Sequence, residues 1–322
     1  MKPRLAKPIM AIIWLPLLFL STQLADATEI VKSTHVYKKV DGVKIEVDAY
    51  RPAGKKNCPV LVWIHGGALI SGNRQQIPQR LRELAATEGY LLVSIDYRLA
   101  PHAKLHEIIS DLRDALAWVR SEGPSKLGAD VTRLVVSGGS AGGYLTMMSG
   151  TIKPVPKALV TYWGYGSLDA EWYAKPSEHY RKAPLVDKDE AWAGVGKKVS
   201  TGAFGDAGRK RSQFYLYCRQ QGIWTKVVSG FEPGKDRDKI TPYCPVRNIT
   251  PEYPPIVMVH GTADTDVPYY ESANMAIELQ RHGVRHELLT IPNGGHGLGG
   301  GNPELIEWAH GKALDFIREQ LR

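Results

Sequence analysis

Cysteine is scarce in this chain: Cys58, Cys218 and Cys244 are the three among 322 residues. None of them has the close spacing that a structural zinc site needs, and three thiols cannot staple a fold of this length. The fold must rest on its core, and a chain of about 300 residues can bury roughly three quarters of its unfolded surface. Internal repeats and low-complexity stretches are missing as well. So is any concentration of one charge. The net charge is +8, yet Lys and Arg are scattered among Asp and Glu. That pattern describes a solvated surface and argues against a nucleic-acid partner. What remains is a chain that is 43% hydrophobic and 23% charged, the proportions of a globular protein.

The N-terminus stands apart. Lys2, Arg4 and Lys7 precede an apolar run, Pro8–Leu20, that is too short to span a bilayer comfortably. Ala25-Asp26-Ala27 then supplies small residues at a cleavage spacing. This is the pattern of a secretory signal peptide over residues 1–27, with a mature chain of 28–322. The alternative is an uncleaved membrane anchor. Cleavage predicts a secreted or periplasmic protein with no stable membrane insertion. Export permits disulfides, and Cys218 with Cys244 is the expected pair. Cys58, beside a strand, is expected to be a buried thiol.

Beyond residue 28 the chain alternates between strand and helix patterns. Glu29–Val40 and Lys44–Arg51 read as an antiparallel pair at a sheet edge. The runs Pro59–Ile64, Tyr90–Ile95, Arg133–Ser137, Lys157–Tyr162, Pro255–His260 and His286–Ile291 are nearly continuous in apolar residues. Such runs suit strands buried on both faces. Between them lie helical stretches: Gln75–Glu88, His106–Arg120, Ala141–Ser149, Tyr270–His282 and Pro303–Leu321. The pattern predicts an α/β fold with a mostly parallel, doubly wound sheet. Ligands bind such sheets at the carboxyl ends of the strands. One segment breaks the rhythm: Gly164–Asn248, about 85 residues and rich in Trp and Tyr. A structureless loop of that length is improbable, so a cap inserted over the site is expected.

Gly138-Gly139-Ser140-Ala141-Gly142 lies between a strand and a helix. A serine needs a base to become a nucleophile, and a sharp glycine-lined turn exposes it. Ser140 is therefore the candidate nucleophile. Acid and then histidine should follow it in the chain. Of the later histidines, His296 sits in the glycine-rich loop Pro292–Gly297 after a strand. His282 and His286 flank a turn, and His260 ends a strand. For the acid, Asp264 and Asp266 compete at the preceding strand end; Asp264 is favoured, and Asp266 is then left to cap the helix that begins near Val267. Two backbone donors should stabilise the oxyanion: Ala141, and the loop His65-Gly66-Gly67-Ala68 through Gly67 and Ala68.

These segments together resemble the α/β-hydrolase superfamily. His65-Gly66-Gly67, Asp96–Pro101 and Gly139–Gly143 look like the hormone-sensitive-lipase-like esterases. His260–Asp264 with Val267-Pro268 is more similar to polysaccharide-side-chain esterases and to the prolyl-oligopeptidase catalytic domain. The resemblance implies the α/β-hydrolase fold, Asp264 as acid, His296 as base and an acyl-enzyme mechanism with no metal or organic cofactor. Ala68 replaces the family's third loop glycine, and the insert matches no known cap. The expected function is hydrolysis of carboxylic esters, acetyl or aromatic acyl esters of carbohydrates among them, on a small-molecule or carbohydrate-linked substrate. A prolyl-oligopeptidase-like peptidase and a non-catalytic binding protein on the same fold are the alternatives.

Overall fold

The structure, a computed structural model, describes residues 29–322. The expected signal segment and its cleavage site lie outside the described residues. Eight strands form one sheet: β1 (Ile30–Val40), β2 (Val43–Pro52), β3 (Cys58–Ile64), β4 (Leu91–Ile95), β5 (Ala129–Gly139), β6 (Ala158–Tyr162), β7 (Ile256–Gly261) and β8 (His286–Ile291). Their spatial order is β1-β2-β4-β3-β5-β6-β7-β8. β1 and β2 are antiparallel, and β2 runs antiparallel to β4. From β4 through β8 every pairing is parallel. This is the mostly parallel sheet with an antiparallel edge pair that the apolar patterns predict.

The reason lies in the two faces. Along β3 every residue is buried. Val60, Val62 and Ile64 face one core together with α2 (Leu105–Leu127), α3 (Ala141–Ser149) and α9 (Tyr270–Arg281). Leu61 and Trp63 face a second core with α1 (Gln79–Glu88) and α10 (Pro303–Leu321). Alternation along a strand thus sends neighbours to opposite cores, and with helices on both sides no polar face is left.

Helix boundaries depart from the expected ones in two places. α1 begins at Gln79, not Gln75. Pro78 lies just before it, and the residue ahead of a proline is pushed out of helical backbone. α2 runs to Leu127, past Gly123 and Pro124. Packing carries it through: Gly123 lies so close to Ala129 that an added Cβ would sit 3.1 Å from the Ala129 Cβ.

The insert between β6 and β7 contains five helices: α4 (Glu171–Ala174), α5 (Lys188–Val195), α6 (Gly205–Gln221), α7 (Trp224–Ser229) and α8 (Arg237–Ile240). Tyr173, Phe214, Cys218, Trp224 and Ile240 are buried in the same core as β3 and β5. The insert is therefore packed into the domain and not merely laid over it. Arg211, which is 3% exposed, donates from Nη1 to the carbonyls of Ile70 (2.8 Å) and Ala100 (2.9 Å). The Ala203 amide donates to Gly72 O, and the Leu99 amide to Ser200 O, both at 2.8 Å.

The expected Cys218–Cys244 disulfide is absent; all three cysteines are free and buried. Cys218 faces the core from α6, while the Cys244 thiol points to the Ile240 carbonyl at 3.6 Å. Both thiols are buried in the main core, and burial pushes Cys218 up to about 12 and Cys244 up to about 11. The even pairing suggested by export fails because each side chain serves core packing. Unfolding the protein in denaturant without reductant should therefore expose three thiols to a thiol-reactive dye. A count of one would contradict this.

Candidate active site

Ser140 sits where β5 ends and α3 begins, with φ 56° and ψ −122°. A non-glycine residue with positive φ is strained, and such strain persists only where the surroundings over-determine it. Here they do. The Ser140 amide donates to Tyr162 O at 2.9 Å, and the Ser140 carbonyl accepts from the Tyr144 amide at 3.0 Å. A Cβ on Gly138 would overlap the Gly142 carbonyl, and one on Gly142 would overlap the Ile64 carbonyl. The glycines of the motif are thus explained by the close approach of β3, β5 and α3.

His296 reaches Ser140 from the loop after β8. Its Nε2 is 3.1 Å from Ser140 Oγ, and its Nδ1 is 2.8 Å from Asp264 Oδ2. Asp264 follows β7. Its Oδ1 accepts the amides of Asp266 and Val267, both at 2.8 Å. Its Oδ2 also lies 3.3 Å from His260 Nε2. Burial alone would raise the Asp264 carboxyl, but hydrogen bonds from His260 and His296 outweigh it and hold the group well below the usual carboxylate range. Burial favours a neutral His296. The hydrogen bond to Asp264 and the charges of Asp266 and Asp264 outweigh that, so its pKa is raised above the ordinary value. Chemically, this is a hydroxyl, an imidazole and a carboxylate in one hydrogen-bonded line.

The loop after β3 is pinned by its carbonyls. His65 O accepts from the Tyr97 hydroxyl at 3.0 Å, Gly67 O from the amides of Ile70 and Ser71, and Leu69 O from the Ala100 amide. Ala68 O accepts from the Trp224 indole of the insert at 3.0 Å. Gly67 has φ 104° and Ala68 φ 57°, so both are left-handed. A Cβ on Gly66 would sit 3.3 Å from Ser140 Cβ, which places this loop directly against the serine. Among the described residues, the amides of Gly67, Ala68 and Ala141 have no hydrogen-bond acceptor. Donors with no internal partner beside an exposed hydroxyl can receive a developing negative charge.

One residue takes an unexpected place. Asp266 does not cap a helix: α9 begins at Tyr270 with no side-chain cap. Its Oδ1 is instead bonded to the Tyr215 hydroxyl and Arg219 Nη1 of the insert, and its Oδ2 lies 3.5 Å from His296 Nε2. The first turn of α9 is met by backbone carbonyls instead: the Glu271 amide donates to Pro268 O, and the amides of Ser272 and Ala273 donate to Tyr269 O. His260 is fully buried, bonded to Ser272 Oγ and near the Val267 carbonyl, which leaves it a structural role. Sequence reading missed Trp224, Arg219 and Tyr215. Their partners lie more than 40 residues away, and nothing local marks them beyond aromatic richness.

A cavity of about 350 Å³ opens beside Ser140 between α1, α10 and the ends of β3 and β6. Trp63, Leu81, Tyr162, Trp163 and His310 line it. Arg80 and Glu307 close its rim with two hydrogen bonds of 2.6 Å across α1 and α10. Among the described residues no group of three or more His, Cys, Asp or Glu side chains could hold a metal ion, and no helix is long and apolar enough to cross a membrane.

Comparison with known proteins agrees with the fold. Residues 47–187 match the BD-FAE family, and residues 216–322 match the Prolyl oligopeptidase family. Esterase LipC of Mycobacterium tuberculosis is 27% identical over 249 residues, covering 76% of this chain and 54% of LipC. The non-reducing polyketide synthase pkbA of Emericella nidulans is 26% identical over 91% of this chain, but only 14% of the synthase is spanned. The chain thus covers a minor part of the synthase and about half of LipC. A Staphylococcus aureus protein of unknown function superposes with a TM-score of 0.71 at 21% identity, covering 91% of this chain and 100% of that one. The esterase Est2 of Thermogutta terrifontis superposes with a TM-score of 0.59 at 23% identity, covering 92% of each chain. A truncated carbohydrate esterase from gut microbiota gives 0.64 at 19% identity, covering 92% of this chain and 98% of that one. The sheet order and the flanking helices define an α/β-hydrolase fold. With both family matches and the LipC similarity, the chain is an α/β-hydrolase that is similar to esterases and lipases.

The contact between Gly142 and Ile64 is the tightest constraint on the Ser140 turn. Gly142→Ala should destabilise the protein by about 1–3 kcal/mol or more, because overpacking of a close-packed core costs on that order. Urea unfolding would measure it. An unchanged midpoint would show that the turn relaxes freely.

Proposed function

We propose that this protein is a serine esterase that cleaves carboxylic esters through an acyl-enzyme intermediate on Ser140. The observation that carries the reading is the line Ser140 Oγ, His296, Asp264, with its two contacts of 3.1 and 2.8 Å. In this mechanism Ser140 Oγ attacks the ester carbonyl while His296 Nε2 takes its proton. Asp264 fixes the tautomer with the proton on Nδ1 and stabilises the imidazolium that forms. The carbonyl oxygen becomes negative and is held by the amides of Ala141 and of Gly67 or Ala68. Collapse of the tetrahedral intermediate breaks the ester C–O bond, and His296 returns the proton to the leaving alcohol. Water then attacks the acyl-serine by the same steps in reverse roles, releasing the acid.

The cavity beside Ser140 favours an acyl group larger than acetyl. An acetyl group would leave most of about 350 Å³ empty, whereas a flat ring could lie among Trp63, Tyr162 and Trp163. Aromatic acyl esters of carbohydrates are therefore the favoured substrates, with acetyl esters as smaller ones that also fit. The likeness to a gut carbohydrate esterase is in keeping with a carbohydrate alcohol. The signal-like N-terminus supports action outside the cytoplasm. A second reading, a peptidase, has one observation in its favour: the prolyl-oligopeptidase match over residues 216–322.

Nitrophenyl esters and acylated sugars offered to wild type and Ser140→Ala test the reading. Wild type should turn over, Ser140→Ala should lose at least about 10³-fold in kcat, and a fluorophosphonate should label Ser140. Turnover of a prolyl peptide substrate in place of esters would support the peptidase instead. Leu81→Phe, which narrows the cavity, should lower kcat/KM for aromatic acyl esters by about tenfold relative to acetyl esters. Because His296 must be neutral to act and its pKa is raised, kcat/KM should fall as the pH is lowered, through an ionisation above about 6.5.

A further inference from the structure

His296 has two carboxylates within reach. Asp264 meets its Nδ1 at 2.8 Å, while Asp266 Oδ2 lies 3.5 Å from Nε2, the nitrogen that faces Ser140 at 3.1 Å. Anions on both sides of an imidazole favour its protonated form. An imidazolium cannot accept the serine proton. An Asp266 free to swing toward the ring would also compete with Ser140 for Nε2, and the chain would hold a non-productive pair.

The insert prevents this. Asp266 Oδ1 is taken by Arg219 Nη1 and by the Tyr215 hydroxyl, and Arg219 Nη1 also donates to the Asp266 carbonyl at 3.1 Å. Arg219 is 2% exposed. Its guanidinium lies over the rings of Trp172, Tyr173, Tyr180 and Tyr215, at 4.9–5.7 Å from their centroids. That cage fixes a buried cation in one place, and a guanidinium stays charged at any working pH.

We propose that Arg219 is a positioning residue that holds Asp266 on the insert, so that His296 Nε2 stays directed at Ser140 and not at Asp266. This inference rests on the reading of His296 as the general base. The groups that matter are few. Asp264 and Asp266 face His296 from the loop after β7, Ser140 from the turn before α3, and Arg219 from α6. His260 touches Asp264 from β7, and Tyr173, Tyr180 and Tyr215 face the Asp266–Arg219 pair from the insert. The directions agree with the geometry: Asp266 raises the His296 pKa and Arg219 lowers it.

Four proteins test the proposal: wild type, Asp266→Asn, Arg219→Gln and the double variant. The readout is the acid limb of kcat/KM against pH, together with a carbon-13 NMR titration of the His296 ring, assigned by its loss in His296→Gln. Asp266→Asn removes a negative neighbour and should move the His296 ionisation down by about one pH unit. Arg219→Gln should move it up by a comparable amount and lower kcat at pH 6 by about tenfold. When Asp266→Asn is already present, the shift caused by Arg219→Gln should shrink to less than about half, as expected for coupled neighbours. An Asp266→Asn titration that coincides with wild type, or moves upward, overturns the proposal. So does an Arg219→Gln shift of the same size with and without Asp266→Asn. If Arg219→Gln fails to fold, Asp266→Asn, which keeps the shape of the side chain, decides alone. If the wild type hydrolyses no ester, the esterase reading fails, while the NMR titration still decides this inference.

Discussion

The strained turn at Ser140 is the constraint on which the site depends. A φ of 56° on a serine is held because β5 and α3 meet with no side chain between Gly138 and Gly142, and because β3 presses its Ile64 carbonyl against Gly142. The turn therefore exists only as part of the sheet. A short β5–α3 peptide would have no reason to keep it. The same close approach lays the loop after β3 against Ser140, so the hydroxyl and the neighbouring free amides are positioned by one packing event. Such rigidity suits the proposed chemistry: groups that need not reorganise during a reaction stabilise developing charge better than mobile ones.

The insert has two attachments that give it more than a covering role. Trp224 binds the Ala68 carbonyl, and Arg211 binds the carbonyls of Ile70 and Ala100. These bonds turn carbonyls inward along the loop that lies against Ser140, and so help hold Gly67 and Ala68 in left-handed backbone. Through Arg219 the insert also reaches the carboxylate beside His296. An inserted segment of an α/β-hydrolase can thus set both the shape of the loop and the electrostatics around His296. Burial in the main core explains how: helices that share a core with the sheet transmit position, whereas a loosely hinged lid would not.

Asp264 and Asp266 show how environment divides two identical side chains. The Asp264 side chain is fully buried and meets two backbone amides and two imidazoles, an arrangement that keeps it ionised and immobile. Asp266 is partly exposed and binds a guanidinium and a phenol from the insert. Position along the chain favours Asp264 without giving the physical cause, because both residues lie on the same loop. Hydrogen-bond partners from β7, α6 and the loop after β8 make it.

Local pattern was enough for the fold. Continuous apolar runs marked the parallel strands, alternation marked the β1–β2 edge, and Gly138–Gly142 between a strand and a helix marked Ser140. These are features a short window can hold, since strand burial and glycine-lined turns leave their trace in adjacent residues. His296 could be narrowed from order along the chain, and Asp264 was favoured over Asp266, but the place of Asp266 on the insert could not be read, because its partners come from α6. The Cys218–Cys244 pairing expected from export does not form, since both thiols are buried unpaired in the main core. Trp224, Tyr215 and Arg219 were legible only as aromatic and basic residues in an unreadable insert. What they do was decided by the tertiary structure alone, because their partners are the Ala68 carbonyl and the Asp266 carboxylate, and contacts between residues so distant in the chain arise only when the sheet and the insert close on one core.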